Sequence, residues 1–212
     1  MMNLMQACAV VAQRRPADSL LVATMSSMNM LDLLDTELAG TIHAPRATRI
    51  SSVPLMGGAL GLGVGLALTQ PQRKVIVLDG DASLLLELSG LVSAVTAGPR
   101  NLLHIVSRNG TQFNGLANLR APAPEYDFAA GARCAGYTHV ERIEDAQQWA
   151  LRFPQLLEMN GLVFVELSVQ SLPQRVSEGF QQTEMPDIQF ERMGLETQAL
   201  QAWLNQQASQ EA

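Results

Sequence analysis

The chain has 212 residues, 47% of them hydrophobic and 16% charged, with a formal net charge of −6. That balance describes one globular domain with a full core, too short for two substantial ones, and an acidic chain without a Lys/Arg cluster is poorly suited to nucleic acid. No uninterrupted apolar stretch reaches the ~20 residues that cross a bilayer, and Cys8 and Cys134 have neither metal-site spacing nor disulfide density, so a reduced, cytoplasmic setting is expected.

Residues 1–12 are apolar but lack a basic leader, and Arg14-Arg15-Pro16 follows them, so an amphipathic helix over 4–13 is the expectation more than a signal peptide. A strand is expected at 20–23 and a helix at about 29–38. After a loop through 41–54 comes the run Gly57-Gly58-Ala59-Leu60-Gly61-Leu62-Gly63-Val64-Gly65. A dinucleotide fingerprint would need a strand directly before it and an acidic residue closing the following strand, and neither is in place. Gly57, Gly61 and Gly65 recur every fourth residue, which predicts a helix over 57–68 with one face stripped for close approach of a backbone or a ligand.

Lys74-Val75-Ile76-Val77-Leu78-Asp79 reads as a strand running into Gly80-Asp81-Ala82-Ser83; a helix over 84–97 follows, stopped by Gly98-Pro99. A second strand, 101–107, ends in Arg108-Asn109-Gly110. Asp81 and Asn109, 28 positions apart, thus fall at the carboxyl ends of neighbouring parallel strands. In open α/β sheets ligands sit just outside those ends. A carboxylate with an amide carbonyl suits a hard cation such as Mg²⁺, which completes its shell with water and phosphate oxygens. The turn at Gly80–Ser83 offers backbone N–H groups to an anion. Singly, Asp81 reads as a helix N-cap and Asn109-Gly110 as an ordinary turn. Together, at this spacing, they point to a shared seat for a cation and a diphosphate.

Beyond a loop at 110–124, a short helix is expected at 126–135, a strand at 138–140, a helix at 144–158, and an almost continuously apolar strand at 162–168, as when both sheet faces are covered. The alternation predicts an α/β fold over residues 1–170: a single doubly wound parallel sheet with right-handed crossovers and helices on both faces. The tail, 171–212, changes character. Leu172-Pro173 and Met185-Pro186 lead into a Gln-rich helical stretch at 191–207, where Leu195, Leu200 and Trp203 could form one apolar stripe that packs on its own domain or grips a partner chain.

The run Val75-Ile76-Val77-Leu78-Asp79-Gly80-Asp81-Ala82-Ser83, with the later Gly98-Pro99-Arg100-Asn101-Leu102-Leu103-His104-Ile105-Val106-Ser107-Arg108-Asn109-Gly110, resembles the thiamine-diphosphate motif, in which Gly-Asp-Gly is followed by an Asn. The likeness is to the diphosphate-binding half of the sulfopyruvate and phosphonopyruvate decarboxylases. Their glycine-rich helix start is matched by Leu55-Met56-Gly57-Gly58-Ala59. Their later DFAA and CGY segments are matched by Asp127-Phe128-Ala129-Ala130 and Cys134-Ala135-Gly136-Tyr137.

The resemblance, which spans roughly 20–168, implies the thiamine-diphosphate-binding fold with thiamine diphosphate and Mg²⁺ as cofactors. It implies that Asp81 and Asn109 ligate the metal through side-chain oxygens and Thr111 through its carbonyl. Gly80, Ala82 and Ser83 would meet the diphosphate. Met56, beside Gly57, stands where the family places an apolar wedge under the cofactor. Ser26 and Asn29 match a loop that hydrogen-bonds the diphosphate. Two departures stand out. Ala82 replaces the usual glycine, adding one methyl group. The family's basic first loop is replaced by Ser26-Ser27-Met28-Asn29-Met30, which makes a less anionic or more apolar 2-oxo acid plausible. Arg46 and Arg49 could restore a positive charge, though surface solvation is the plainer reading. His43 could approach a substrate, Gln112 and Asn114 could line the pocket, His104 reads as a core residue, and His139 needs no role.

Enzymes of this kind use a second domain to supply an activating glutamate, for which 212 residues leave no room. The resemblance therefore implies a carboxy-lyase subunit: a β-type chain whose partner, a PYR-type α subunit, supplies the catalytic Glu in an α₂β₂ hetero-oligomer, or failing that a homo-oligomer. No catalytic residue is assigned to this chain, and neither nucleic acid nor membrane is an expected partner. The cofactor would serve as electron sink for loss of CO₂ from a 2-oxo acid. A subunit of a carboligase or of a 2-oxo acid oxidoreductase is an alternative, the latter weakened because two lone cysteines cannot hold an iron–sulfur cluster unless a partner does. A non-catalytic cofactor-binding paralogue is another, favoured by Ala82 and the altered loop and opposed by Asp81 and Asn109. Fold alone does not decide between them.

Overall fold

Short runs rich in Val, Ile and Leu, each closed by a polar or glycine-bearing turn, build a parallel sheet in a computed structural model that describes residues 2–113, 118–121, 123, 125–171 and 186–211. In chain order the strands are β1 (Leu20–Ala23), β2 (Arg49–Ser51), β3 (Val75–Gly80), β4 (Asn101–Arg108), the small pair β5 (Thr111–Phe113) and β6 (Asn118–Arg120), β7 (His139–Ile143) and β8 (Gly161–Ser168). The helices are α1 (Leu4–Arg14), α2 (Met25–Glu37), α3 (Ala59–Thr69), α4 (Asp81–Leu86), α5 (Ser89–Ala97), α6 (Phe128–Ala135), α7 (Ala146–Leu157) and α8 (Pro186–Glu211).

Six strands pair in parallel in the order β2-β1-β3-β4-β8-β7, while β5 and β6 form a separate antiparallel pair. The chain leaves β1 toward β2 on one side and returns to β3 on the other, so the order reverses at β1 and β3, the place where such sheets hold ligands. The central strands are buried on both faces. One face packs on α1, α2 and α7, through Val11, Leu31 and Phe153 among others. The other packs on α3, α5 and α6, through Leu60, Ala94 and Phe128. The doubly wound sheet with helices on both faces is therefore present. No described helix is long and apolar enough to cross a membrane.

Several expectations are corrected. β2 arises inside the stretch read as a loop; three residues after a 3-10 turn (Arg46–Thr48) are too few to show a pattern. The stretch 110–124 contains the β5–β6 hairpin. Helix α2 starts at Met25 and not near 29, so Ser26 and Asn29 belong to a helix and not to a loop. The single helix read over 84–97 is two, with a break at Glu87-Leu88, and the first begins at Asp81. Helix α3 starts at Ala59, after Gly57 has taken a left-handed φ of +91°. The stripe Gly57/Gly61/Gly65 is not the close contact: Gly61 and Gly65 face open space, whereas any Cβ on Gly63 would collide with Val77 of β3.

In the tail, residues 172–185 lie outside the described residues. Helix α8 rests on β2 and the 3-10 turn before it. Leu200 is buried there, but Leu195 is 59% exposed, so the three-residue stripe does not form. The inward face is Glu196, Leu200 and the half-buried Trp203 and Leu204, at the i, i+4, i+7, i+8 spacing of one helix side.

Candidate functional site

A cavity of about 100 Å³ opens at the carboxyl edge of the sheet, where the segments after β1, β2, β3 and β4 converge. After β1, Thr24 occupies the N-cap of α2, yet its hydroxyl donates to the Leu78 carbonyl (3.3 Å) and makes no capping bond. The first-turn residues Met25, Ser26 and Ser27 line the cavity without a side-chain cap over their N–H groups. Ser52 and Val53 enter from the end of β2.

At the end of β3 the chain turns through Gly80 into α4. Asp81 is the first helical residue and only 3% exposed. It is not a cap: Oδ1 accepts from the Ala82 N–H (2.9 Å) and Oδ2 from the Gly110 N–H (2.8 Å). Gly110 reaches back by adopting a φ of +69°, a conformation that favours glycine. One carboxylate thus ties the corner after β3 to the corner after β4. Beside it, Asn109 Oδ1 accepts from the Thr111 N–H (2.7 Å) and hydroxyl (2.9 Å), which fixes the amide at the cavity wall. Ser83 Oγ accepts from the Gly57 N–H (3.1 Å), holding the Met56-Gly57 segment over α4. Met56, 45% exposed, presents its side chain at the mouth.

Of the residues singled out from sequence, Ser26, Met56, Gly80, Asp81, Ala82, Ser83, Asn109, Thr111 and Gln112 line this one cavity. Asn29 is not among the lining residues, and Gly57 supports the wall from behind through Ser83. Asn114 lies outside the described residues. His43 is exposed and not part of the lining. Nor do Arg46 and Arg49 reach it: Arg49 is buried and pairs with Asp32 (2.5 Å) and Asp35 (2.8 Å) on α2. His104 is a buried core residue, as its strand position suggested. Thr24, Ser27, Ser52, Val53, Asp79 and Ser107 were not foreseen. Ser52 and Val53 were hidden by the unrecognised β2, whereas Asp79 could have been found from its place at a strand end beside the motif.

The donor set fits a hard cation with an anion behind it. Among the described lining residues there is no Lys, Arg or His, and there are two carboxyl groups, Asp79 and Asp81. Burial pushes the Asp81 carboxyl up to about 6, against the pull of the Gly110 and Ala82 N–H groups and of Arg108. Among the charged side chains of the lining a polyphosphate entering alone would meet only carboxyl groups; a divalent ion on Asp81 reverses that sign. Among the described residues no three His, Cys, Asp or Glu side chains gather as a metal site. A cation here would rest on one carboxylate, amide and carbonyl oxygens, water and phosphate, the shell that Mg²⁺ accepts.

Sheet order and donor set together define a cofactor-binding α/β domain of the doubly wound class. Within that class the chain belongs to the thiamine pyrophosphate enzymes, through their C-terminal TPP-binding domain, which matches residues 36–167. It is 38% identical over 114 residues to the sulfopyruvate decarboxylase subunit beta of Methanothermobacter thermautotrophicus, covering 54% of this chain and 58% of that one. It is 32% identical over 117 residues to the phosphonopyruvate decarboxylase of Streptomyces viridochromogenes, covering 55% of this chain and 29% of that one. The chain thus matches a little over half of the first relative and under a third of the second.

Among solved structures, a thiamin diphosphate-dependent enzyme from Mycobacterium smegmatis superposes with a TM-score of 0.65 at 19% identity, over 81% of this chain and 32% of that one. The 4-hydroxybenzoylformate decarboxylase of Rhodococcus jostii RHA1 gives 0.64 at 20% identity, over 80% and 33%. At those identities the superpositions establish the shared fold.

Proposed function

We propose that this chain is the diphosphate- and metal-binding subunit of a thiamine-diphosphate-dependent 2-oxo acid decarboxylase whose active site is completed by a second chain. The observation that carries the reading is the joining of Asp81 to the Asn109–Thr111 corner at the ends of β3 and β4, within one cavity and inside the segment that matches the family. Asp81 and Asn109 would hold Mg²⁺ through side-chain oxygens, with the Thr111 carbonyl beside them. The diphosphate would lie against Gly80, Ala82 and Ser83 and the first-turn N–H groups of α2, where Ser26 stands. Met56 at the mouth would bear on the organic body of the cofactor.

Bound there, thiamine diphosphate supplies the electron sink that lets a 2-oxo acid lose CO₂. This chain holds the diphosphate, neutralises it through the metal, and presents an apolar wall of Met25, Val53 and Met56. The proton-moving carboxylate would come from a PYR-type α subunit, as the named subunit beta among the relatives suggests. Met56 in the lining is exposed, as are Leu55 before it and Leu86 beside Gly57, an apolar surface that suits a covering chain. We propose an α₂β₂ assembly. Because the described lining has no cationic side chain, a substrate carboxylate or acidic tail would be met by residues of the partner.

The test is calorimetric titration of the chain with thiamine diphosphate and Mg²⁺, with and without the product of the neighbouring gene, together with CO₂ release from a panel of 2-oxo acids. Magnesium-dependent uptake with turnover only beside the partner is expected. No uptake in either setting would remove the reading, and turnover by the isolated chain would remove its split-site part.

A further inference from the structure

Asp79 lines the cavity, is 0% exposed, and has no part in the function above. Its Oδ1 accepts from the Gly80 N–H at 2.8 Å, and its Oδ2 lies 3.4 Å from His104 Nε2. His104, on β4 and equally buried, has its Nδ1 3.3 Å from the Tyr137 hydroxyl. Phe164 packs edge-on against both rings, with centroid separations of 5.2 Å to His104 and 5.7 Å to Tyr137. A single file of polar groups therefore crosses an otherwise apolar layer and ends on the peptide that precedes Gly80-Asp81.

The direction of the file follows from its Asp79 end. A carboxylate oxygen only accepts, so the ring nitrogen that faces it, Nε2, carries the proton and donates. With the single ring proton on Nε2, Nδ1 is bare and accepts from the Tyr137 hydroxyl. Both Asp79 oxygens then accept. Three apolar side chains would fill this space at no desolvation cost. What the polar file adds is orientation: it holds the Asp79–Gly80 peptide from one side while Gly110 holds Asp81 from the other.

We infer that Tyr137, His104 and Asp79 form a buried positioning relay that sets the Asp79–Gly80 peptide and so aims the Asp81 carboxylate into the metal and diphosphate seat. The inference rests on the function proposed above for that seat. None of the three is a catalytic residue.

The relay is tested on the full chain with its partner. Mg²⁺ affinity is measured by calorimetry at saturating thiamine diphosphate, and Gly80 amide exchange and the His104 ring nitrogens are followed by NMR without ligand. In the wild type, Gly80 exchanges slowly, Nε2 carries the proton and Nδ1 is bare. Tyr137→Phe weakens Mg²⁺ by about tenfold, the low end for a lost outer-shell partner, and leaves the 2-oxo acid KM unchanged. Asp79→Asn rebuilds the file in reverse, its amide donating to Nε2 and Nδ1–H donating to Tyr137. Mg²⁺ affinity is then kept and the ring tautomer switches.

Wild-type Mg²⁺ affinity in a folded Tyr137→Phe chain overturns the relay, as does a wild-type ring protonated on Nδ1 alone. If Tyr137→Phe does not fold, Asp79→Asn decides, and an unswitched tautomer overturns the relay. Absence of coenzyme uptake by the wild type removes the functional reading instead. The relay is then judged on Gly80, whose rapid exchange in the wild type overturns it and whose acceleration in Tyr137→Phe or Asp79→Ser supports it.

Discussion

Asp81 does two jobs that substitution separates. Its oxygens accept two backbone N–H groups, and its charge is the attraction a cation would feel. In Asp81→Asn one acceptor remains while the amide faces a second donor, so the folded chain loses about 1–3 kcal/mol. Mg²⁺-dependent coenzyme uptake, read by calorimetry, falls by more than the ~10–100-fold typical of an outer-shell loss. Uptake within tenfold of wild type would remove Asp81 from the metal. Thr111 makes the converse case. Its hydroxyl occupies a lone pair of Asn109 Oδ1 that a metal would need. Thr111→Val keeps the branched shape and the backbone carbonyl, so Mg²⁺ binds as tightly or more tightly; weakening on the order of tenfold would show that the hydroxyl itself ligates.

The two cysteines differ as sharply. Burial pushes the Cys8 thiol up to about 12, whereas Cys134 is exposed. A thiol reagent should modify Cys134 in the native chain and reach Cys8 only on unfolding, because the thiolate is the reactive form. Prompt double labelling of the folded chain, seen by mass spectrometry, would contradict the placement of α1.

Among the elements, those with a long apolar run were legible and those held by tertiary contact were not. β1, β4 and β8 announce themselves through Leu20–Ala23, Asn101–Arg108 and Gly161–Ser168, since short apolar runs closed by turn residues are what strands covered on both faces require. The corner that joins Asp81 to the segment after Asn109 was legible because the two residues follow the apolar strands β3 and β4. β2 was not. Its three residues are held by β1 on one side and by α8, some 145 positions away, on the other. Glu196 of α8 accepts from the Ser51 N–H (2.5 Å) and hydroxyl (3.1 Å), which closes the edge of the sheet. Arg192, one turn earlier on α8, holds Asp32 on α2 at 2.6 and 2.9 Å. No local pattern encodes contacts of that separation.

This docking is acid-sensitive. Burial pushes the Glu196 carboxyl up, but hydrogen bonds from Arg46 and Arg192, aided by the Ser51 N–H, hold it below its ordinary value. A carboxyl whose folded pKa is depressed contributes stability above its unfolded value, roughly 4.3, and that contribution is lost as pH falls through the folded value. Undocking of α8 is therefore expected below about pH 4, visible through Trp203, whose ring lies 5.1 Å from the Arg73 guanidinium carbon. Glu196→Gln should undock at neutral pH and lose the acid step. An unchanged step in that variant would assign the transition to other carboxyls.

At the scale of the molecule, the notable surface is one without charge. Helix α3 reads Ala-Leu-Gly-Leu-Gly-Val-Gly-Leu-Ala-Leu-Thr, and although Gly63 seats it on β3, Gly61, Gly65 and Leu68 face outward. In sequence α3 follows closely on the exposed Leu55 and on Met56 of the cavity lining, and Leu86, 55% exposed, stands beside Gly57. A chain that completes the proposed active site must cover the mouth, and we propose that its contact extends over the exposed face of α3. Gly61→Lys separates folding from assembly. A side chain at Gly61 meets nothing within 4 Å, and replacing this first-turn helical glycine stabilises the isolated chain by up to about 1 kcal/mol. The same lysine would bury an unpaired ammonium in an apolar interface, a cost of several kcal/mol. The variant should thus melt at or above the wild-type temperature alone, yet show at least a hundredfold weaker association with the partner by sedimentation, the ~2.7 kcal/mol equivalent, and lose turnover in proportion. Wild-type association by a well-folded Gly61→Lys chain would place the partner elsewhere and leave the bare face of α3 without a role in assembly.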